Sequence, residues 1–447
     1  MSRQFAFLQR TEMSQNPRRP RRLIPKLLLI VFGVLFGIII AEGTLRIAGY
    51  SYPLFYQPDY SRGYALRPRA EGWYRLEGQS YVRINSDGLR DREHSLTKPH
   101  NTVRIAVLGD SYPEALQVSL EQSFWAVLEK KLNECDASGG RDVEIINFGV
   151  SGYGTAQQLI TLKEQVWKYS PDIVMLTVTT ANDITDNSRV LKKTNEIPYF
   201  VYQNNQLTLD DAFKRTRSFR WSQSSISSLA RALRVHSRVI QAGIQAHRGL
   251  KVATESWRVS GGEALPPGSN KNPESAAKAD LFSRSDELGP DNLVYLEPSN
   301  AVWNDAWRVT EGLMVAMRDE VRARGAKFVV VTLSNGPQVL PTREAREHFA
   351  KRFGIIDQAS AAAAPGTSAG LFYPDNRIKS LGLREQIPVI TLAPELLEFA
   401  ERNRTWIHGF GANIGNGHWN ETGHRVAGEV LAQKMCGGGP FQIASVP

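Results

Sequence analysis

Short apolar runs alternate with amphipathic stretches along most of the chain after residue 100. The apolar runs are rich in β-branched residues and bounded by polar ones, which predicts buried strands. The stretches between them repeat apolar positions at helical spacing, which predicts helices covering a sheet. The strands are predicted at Arg104–Leu108, Val143–Phe148, Asp172–Val178, Lys327–Leu333 and Pro388–Leu392, and the helices at Gln122–Asn133, Thr155–Trp167, Ala306–Arg324 and Thr422–Lys434. This alternation indicates an α/β fold of three layers, with a parallel sheet between two layers of helices.

The alternation fails between residues 188 and 304, which we interpret as an insertion that forms a cap or a partner surface near the site. Within it, Pro198–Tyr202 and Gln206–Leu209 predict a small hairpin. Ser218–Ala246 is predicted to be helical for most of its length. Residues 258–290 are polar and rich in Gly, Pro and Ser, which favours a mobile segment. A low-complexity loop is predicted further on, at Ala359–Ala369.

A basic tail leads into a long apolar stretch at the N-terminus. Residues 1–26 carry seven Lys and Arg residues against Glu12, and residues 27–46 are almost entirely apolar. Counted from Leu23, the stretch has the length that a bilayer requires, roughly 17–25 residues. The charge order predicts a single-pass cell-membrane anchor with a cytoplasmic N-terminus and an extracytoplasmic body, periplasmic in a Gram-negative cell. A cleaved signal peptide is the alternative, but no small-x-small cleavage site stands at Ile39–Glu42.

The net charge of +9 does not indicate a nucleic-acid partner. The tail of residues 1–26 contributes +6, which leaves +3 for the rest of the chain. A body this close to neutral offers no electrostatic footprint for phosphate backbones. No nucleic-acid partner is predicted. The lipid bilayer is predicted as a partner on other grounds, the apolar helix at the N-terminus.

Residues 47–100 predict a stalk that packs along the domain, because its many aromatic side chains need burial. The run Asn85–Gly88 predicts a turn within it. Arg90 and Asp91 are interpreted as an ion pair that fixes this stalk, with a role in the site as the alternative. The sheet domain is expected to span residues 101–435, and residues 436–447 form a C-terminal tail.

The two cysteines, Cys135 and Cys436, follow the first and the last predicted helix of the domain. In a flavodoxin-like strand order these two helices cover the same face of the sheet and end at the same edge. A disulfide is therefore geometrically possible in an extracytoplasmic body. Two unrelated thiols remain the alternative, and a Cα separation above about 7 Å would exclude the bridge.

Polar residues and glycines gather where the predicted strands end, which is where open α/β folds bind their ligands. A serine hydroxyl is a poor nucleophile until a base accepts its proton; Ser111 is the candidate nucleophile and His418 the natural base. The backbone N–H groups of Ser111 and Gly152 and the amide of Asn182 are candidate donors to an oxyanion. The segments that carry these residues are Gly109–Ser111, Gly149–Thr155, Thr179–Asp183 and Gly415–Asn420.

Two other histidines are alternatives to His418. His424 falls inside the last helical pattern, which favours a packing role, and His408 lies in an aromatic loop with Trp406 and Phe410. The spacing of the three histidines matches no common ligand pattern, so no metal site is predicted.

Ser, Gly, Asn and His in this order, with Gly-Asp-Ser ending the first strand, resemble the SGNH or GDSL hydrolase family. The resemblance covers residues 100–190 and 370–434. The upstream part, where Glu42–Arg46 is followed by Asn85–Asp91, is similar to a membrane-anchored branch of that superfamily. The resemblance implies a flavodoxin-like α/β/α domain that hydrolyses or transfers ester-linked acyl groups without a metal or an organic cofactor. The absence of a Gly-x-Ser-x-Gly elbow around Ser111 argues against the α/β-hydrolase class.

One departure from the family concerns the group that orients His418. Family members usually carry Asp three residues before the histidine, where this chain has Gly415, and no carboxylate occurs at residues 402–420. A backbone carbonyl, an asparagine such as Asn413 or Asn416, or an acid from elsewhere could take its place. Because loss of the acid costs other triad enzymes much of their rate, the sequence predicts a slow Ser–His dyad or a site that is no longer catalytic.

The preferred hypothesis is a membrane-anchored serine esterase or acyltransferase acting on acylated glycans or lipids of the envelope, with O-acetyl groups of glycans as one possibility. The alternative is a non-catalytic envelope scaffold, or a polysaccharide-binding protein, that retains the fold. Trp419 and Tyr153 are expected either to stack on a sugar or to pack. Other residues expected around the site are Asp110, Asp183, Asn416 and Trp419. The sequence does not determine the oligomeric state.

Overall fold

The computed structural model describes residues 23–135, 138–247, 293–352 and 370–438, together with residues 441 and 443. The first element is a 25-residue helix, α1, Leu23–Ile47. It begins four residues before the predicted span of residues 27–46 and ends one residue after it. Among the described residues it is the one helix long and apolar enough to cross a membrane, a test that a signal sequence also passes.

Strands of three to seven residues form one central sheet and three small hairpins. They are β1 Tyr56–Asp59, β2 Gly63–Leu66, β3 Glu71–Tyr74, β4 Ser80–Arg83, β5 Thr102–Leu108, β6 Asp142–Asn147, β7 Ile173–Thr179, β8 Tyr199–Gln203, β9 Gln206–Asp210, β10 Lys327–Leu333 and β11 Val389–Thr391. The central sheet has the order β6–β5–β7–β10–β11, and all its pairings are parallel. Counted along the domain this is the 2-1-3-4-5 order of flavodoxin-like folds, so the predicted fold class is confirmed.

Helices cover both faces of the sheet. After α1 they are α2 Ser111–Glu114, α3 Phe124–Glu134, α4 Thr155–Glu164, α5 Asn182–Asp186, α6 Arg189–Lys192, α7 Arg217–Ser222, α8 Ser225–His236, α9 Ala301–Ala323, α10 Arg343–Arg352, α11 Tyr373–Glu385, α12 Ala393–Asn403 and α13 Glu421–Gln433. Ala106 and Leu108 of β5 pack with α4, α9 and α11, whereas Ile105 and Val107 pack with α3, α12 and α13. The alternation of side chains along a strand thus builds two cores, one on each face.

A disulfide joins Cys135 and Cys436, whose Cα atoms lie 6.4 Å apart. Cys135 ends α3 and Cys436 follows α13, and these two helices pack together on one face of the sheet. Both helices start at the carboxyl edge of the strands and run back, so the bridge lies at the opposite edge from Ser111.

The segment between α1 and the sheet forms two antiparallel hairpins, β1–β2 and β3–β4. Its apolar side chains Phe55, Val82 and Ile84 are buried together with Leu116 and Val150 of the sheet domain. Asp91 pairs with His94 and accepts the N–H of Asn147, while the Arg90 guanidinium donates to the Val118 carbonyl. The predicted Arg90–Asp91 ion pair is therefore wrong; each residue fixes the segment through a separate contact.

The described part of the insertion begins with the predicted hairpin, which is β8–β9. The predicted helical region is divided into α7, α8 and a helical stretch over residues 238–247. The polar segment 258–290 and the loop Ala359–Ala369 lie outside the described residues, as does most of the basic tail.

Candidate active site

Ser111 lies at the start of α2, directly after the central strand β5. The turn between them is tight, since a Cβ at Gly109 would collide with the hydroxyl of Thr177. Asp110 caps α2 through the N–H of Tyr112, and its carboxylate also accepts the Thr179 hydroxyl at 3.0 Å and the Asn182 amide at 2.8 Å. The side chain of Asp110 therefore fixes the turn and does not face the base.

His418 is hydrogen-bonded on both ring nitrogens. Its Nε2 lies 2.7 Å from the Ser111 hydroxyl, and its Nδ1 lies 2.5 Å from Oε2 of Glu77. An ionised carboxylate can only accept, so the proton between these two residues is on Nδ1. Nε2 then carries the free lone pair, which is the form of imidazole that accepts the serine proton.

Glu77 comes from the turn between β3 and β4, 341 residues away from His418 in the chain. Its second oxygen accepts the His418 backbone N–H at 2.8 Å, so one carboxylate holds both the ring and the main chain. Burial alone would raise the pKa of Glu77, but the hydrogen bonds from His418 outweigh it and hold that pKa below its ordinary value. The carboxylate is thus ionised at neutral pH.

Two glycines, Gly78 and Gly417, allow the close approach of the Glu77 turn to the loop that carries His418. A Cβ on Gly417, which has φ of +81°, would collide with the Glu77 carboxylate. A Cβ on Gly78, which has φ of +66°, would collide with the Gln117 carbonyl and the Phe410 ring. Only glycine tolerates both the close approach and the positive φ at these positions.

A second hydrogen-bonded chain supports the loop that carries the base. His408 Nδ1 lies 2.8 Å from the Gly417 carbonyl, and its Nε2 lies 3.2 Å from the Ser334 hydroxyl, which also accepts the Trp419 indole N–H at 2.9 Å. Burial lowers the pKa of His408 to about 4, so this ring is neutral. His408 therefore has a structural role, holding the backbone on either side of His418.

The candidate oxyanion donors Gly152 and Asn182 follow the two strands that flank β5. Gly152 follows β6 and Asn182 opens α5 after β7, and these two strands flank β5 in the sheet. Gly152 has φ of +75°, and a Cβ there would lie 2.7 Å from the Tyr64 hydroxyl. Its carbonyl accepts from Lys192 Nζ at 2.9 Å. The arrangement puts both predicted donors at the edge of the sheet where Ser111 begins its helix.

Two buried carboxyl groups lie beside these donors. Asp183 accepts the Thr179 N–H at 2.7 Å, and burial raises its pKa well above the ordinary value. Glu114, at the end of α2, accepts the Tyr56 hydroxyl at 2.9 Å and the Ser151 N–H at 3.1 Å. Burial raises the pKa of Glu114 to about 7. Glu114 thus joins Ser151, the neighbour of Gly152, to α2 and to the first hairpin.

The structure differs from the sequence predictions at several residues expected around the site. Trp419 and Tyr153 are fully buried, so neither can stack on a sugar. The backbone N–H of Asn416 donates to the Asn413 carbonyl in a turn. Of the alternatives for the partner of His418 Nδ1, the structure has an acid from a distant segment, Glu77. His424 accepts the Phe124 N–H inside the core and has the predicted packing role. The expectation of a dyad without an acid is therefore wrong.

Glu77 is the residue that sequence reasoning missed. It stands in a segment interpreted only as a stalk, with no local apolar pattern around it. The usable signals were a carboxylate followed by glycine in a segment expected to pack on the domain. Among the described residues, no group of three or more His, Cys, Asp or Glu side chains could hold a metal ion.

No family model and no curated protein matches the chain. The fold is similar to several solved structures. One is a variant of an acetyl xylan esterase from Geobacillus stearothermophilus, at 9% identity and a TM-score of 0.33, covering 75% of this chain and 95% of that one. A protein described as a lipolytic protein of the G-D-S-L family from Desulfitobacterium hafniense has 10% identity and a TM-score of 0.30, with coverage of 74% and 98%.

A lipase/acylhydrolase from Enterococcus faecalis has 11% identity and a TM-score of 0.30, with coverage of 75% and 96%. At such identities and TM-scores these likenesses carry no argument about the activity of this chain.

Proposed function

We propose that the protein is a membrane-anchored serine hydrolase or acyltransferase that acts on ester-linked acyl groups. The observation that carries the proposal is the unbroken hydrogen-bonded chain Ser111–His418–Glu77, with contacts of 2.7 and 2.5 Å. Nucleophile, base and orienting acid in this order are what acyl transfer by a serine hydroxyl needs.

In the first step the Ser111 oxygen attacks the ester carbonyl while its proton passes to His418 Nε2. The Glu77 carboxylate stabilises the imidazolium that forms. The negative oxygen of the tetrahedral intermediate is held by the N–H groups of Ser111 and Gly152 and by the Asn182 amide. Collapse of the intermediate returns the proton from His418 to the leaving alcohol and leaves the acyl group on Ser111. Water or a sugar hydroxyl then attacks this ester, again with His418 as the base.

The anchor and the substrate class belong to the proposal as well. The basic residues that precede α1 favour a cytoplasmic N-terminus and an extracytoplasmic body. A site held at the outer face of a membrane would meet acylated glycans and lipids of the envelope. The competing hypothesis of a non-catalytic scaffold rests on the missing Asp before His418 and on the long polar insertion. The contact between Glu77 and His418 weakens the first of these two grounds.

The test is labelling of the full chain by a fluorophosphonate, which reacts with activated serines. We expect the wild type to be labelled and Ser111→Ala and His418→Ala to stay unlabelled. Ser86→Ala is a matched control, because the Ser86 hydroxyl donates to a carboxylate, that of Glu93, and has no histidine beside it as a base. An unlabelled wild type that also fails to cleave short acyl esters would overturn the proposal.

A further inference from the structure

Helix α8 turns an apolar stripe toward solvent. Ile226, Leu229 and Leu233 are 66%, 64% and 53% exposed, and no residue of α8 is buried. Their spacing of three and four residues puts all three on one face of the helix. The apolar face of a surface helix in a globular domain normally packs against the core. We therefore expect this exposed stripe to be covered by another apolar surface.

Trp221 at the end of α7 and Ile240 in the following helical stretch extend the stripe, with exposures of 58% and 36%. We name these five side chains, Trp221, Ile226, Leu229, Leu233 and Ile240, the 221–240 surface. The chain around it is strongly basic, since residues 212–247 contain seven Lys and Arg and no Asp or Glu. An apolar face beside many cationic side chains is the pattern of helices that lie on anionic bilayers.

The 221–240 surface is tied to the end of α1. Glu42 accepts the N–H groups of Arg238 and Val239, each at 3.0 Å, and so caps the helical stretch 238–247. Arg46 donates to the carbonyl of His236, the last residue of α8. The side chains that hold α8 therefore belong to the last turns of α1, the place where a spanning helix leaves the hydrocarbon region.

We propose that the 221–240 surface is a lipid-contact site, and that α7 and α8 lie in the headgroup region of the leaflet from which α1 emerges. This inference rests on the proposed anchoring. A second copy of the chain fits the surface less well. A two-fold interface brings a patch against itself, and the cationic side chains around the surface, of which Lys214 already pairs with Asp211 at 3.0 Å, would then repel their copies. An anionic leaflet supplies the missing charge.

The disulfide leaves no free thiol in the chain, so a single introduced cysteine can be labelled selectively. The experiment uses the full chain in vesicles of phosphatidylcholine and phosphatidylglycerol. An environment-sensitive fluorophore is attached to Leu229→Cys and, as a matched control, to Ser228→Cys. Ser228 is exposed on the same helix but is turned by about 100° from Leu229. A third variant, Val34→Cys, reports on α1 itself.

Brominated acyl chains are expected to quench the Leu229→Cys probe at least twofold more than the Ser228→Cys probe, and to quench the Val34→Cys probe strongly. Equal and weak quenching at 229 and 228, with strong quenching at 34, would overturn the inference and leave the anchor in place. An unquenched probe at 34 would overturn the anchoring itself, and the inference with it. Protection of the 229 probe from both lipid quencher and aqueous iodide would indicate a protein partner, and would also overturn it.

Discussion

Replacing Glu77 with Gln tests the part of the site that no local sequence motif announces. The carboxylate makes two contacts with His418, to Nδ1 at 2.5 Å and to the backbone N–H at 2.8 Å. A glutamine has one oxygen for two donors. If its oxygen faces the backbone, its NH2 faces Nδ1 and moves the ring proton to Nε2. If the amide is flipped, its NH2 group faces the backbone N–H of His418. Two donors then face each other, and the side chain moves away from His418.

Either placement removes the correct form of the base. With the proton on Nε2, His418 donates to Ser111 and can no longer accept its proton. In a triad of known rate, an amide in place of the acid lowers kcat by about 10⁴. Since Glu77 is about one-fifth exposed and water can partly replace it, we expect a loss of about 10³–10⁴ in kcat, equivalent to about 4–5.5 kcal/mol of barrier.

The assay is steady-state hydrolysis of a short activated acyl ester by the full chain in detergent. Glu71→Gln is the matched control, because Glu71 belongs to the same hairpin but is exposed and pairs with Arg83 at 3.6 Å. We expect the control to keep its kcat and both variants to keep the wild-type unfolding midpoint. A folded Glu77→Gln variant within tenfold of wild type would refute the triad.

Three further predictions follow from the structure. Asn182→Ala should lower kcat about 10²–10³-fold with little change in KM, as measured on the same ester, if its amide serves the oxyanion; an unchanged kcat would exclude that role. Reducing the Cys135–Cys436 disulfide should lower the free energy of unfolding by up to about 5 kcal/mol, because the loop it closes is long, and this is measured as a lower thermal midpoint. Turnover at low temperature should persist. Loss of turnover without unfolding would contradict the placement of the disulfide at the edge of the sheet opposite Ser111. Because burial raises the pKa of Glu114 from 4.5 to about 7, its protonated form favours folding, and this stability is lost as the pH rises through about 7. Glu114→Gln should remove about 3 kcal/mol of that loss of stability between pH 5 and 8. If the melting temperatures of wild type and variant change with pH by the same amount, the reasoning is wrong.

The sheet could be predicted because its information is local. A fully buried strand such as β7 must be a continuous apolar run, and the helices between strands repeat at helical spacing. Ser111 and His418 could be named as candidates for the same reason, since each stands in a short motif beside a predicted element. The tight turn at Gly109 explains why the motif needs glycine there.

Glu77 could not be predicted because its role is defined only in three dimensions. The hairpins β1–β2 and β3–β4 have four-residue strands, too short to give a clear periodic pattern. Their position depends on apolar contacts such as Val82 with Leu116, which join distant parts of the chain. The carboxylate is therefore carried to His418 by tertiary packing. For the same reason the segment before the sheet is part of the site.

The most direct test of the account is to trap the covalent intermediate. The full chain is mixed with an activated acetyl ester, quenched in acid within the first turnover, digested and analysed by mass spectrometry. The account predicts one acetyl group on the peptide that contains Ser111, accumulating in the wild type and absent from Ser111→Ala. Turnover of the ester with no acyl group on Ser111, or with the group on another residue, would contradict it.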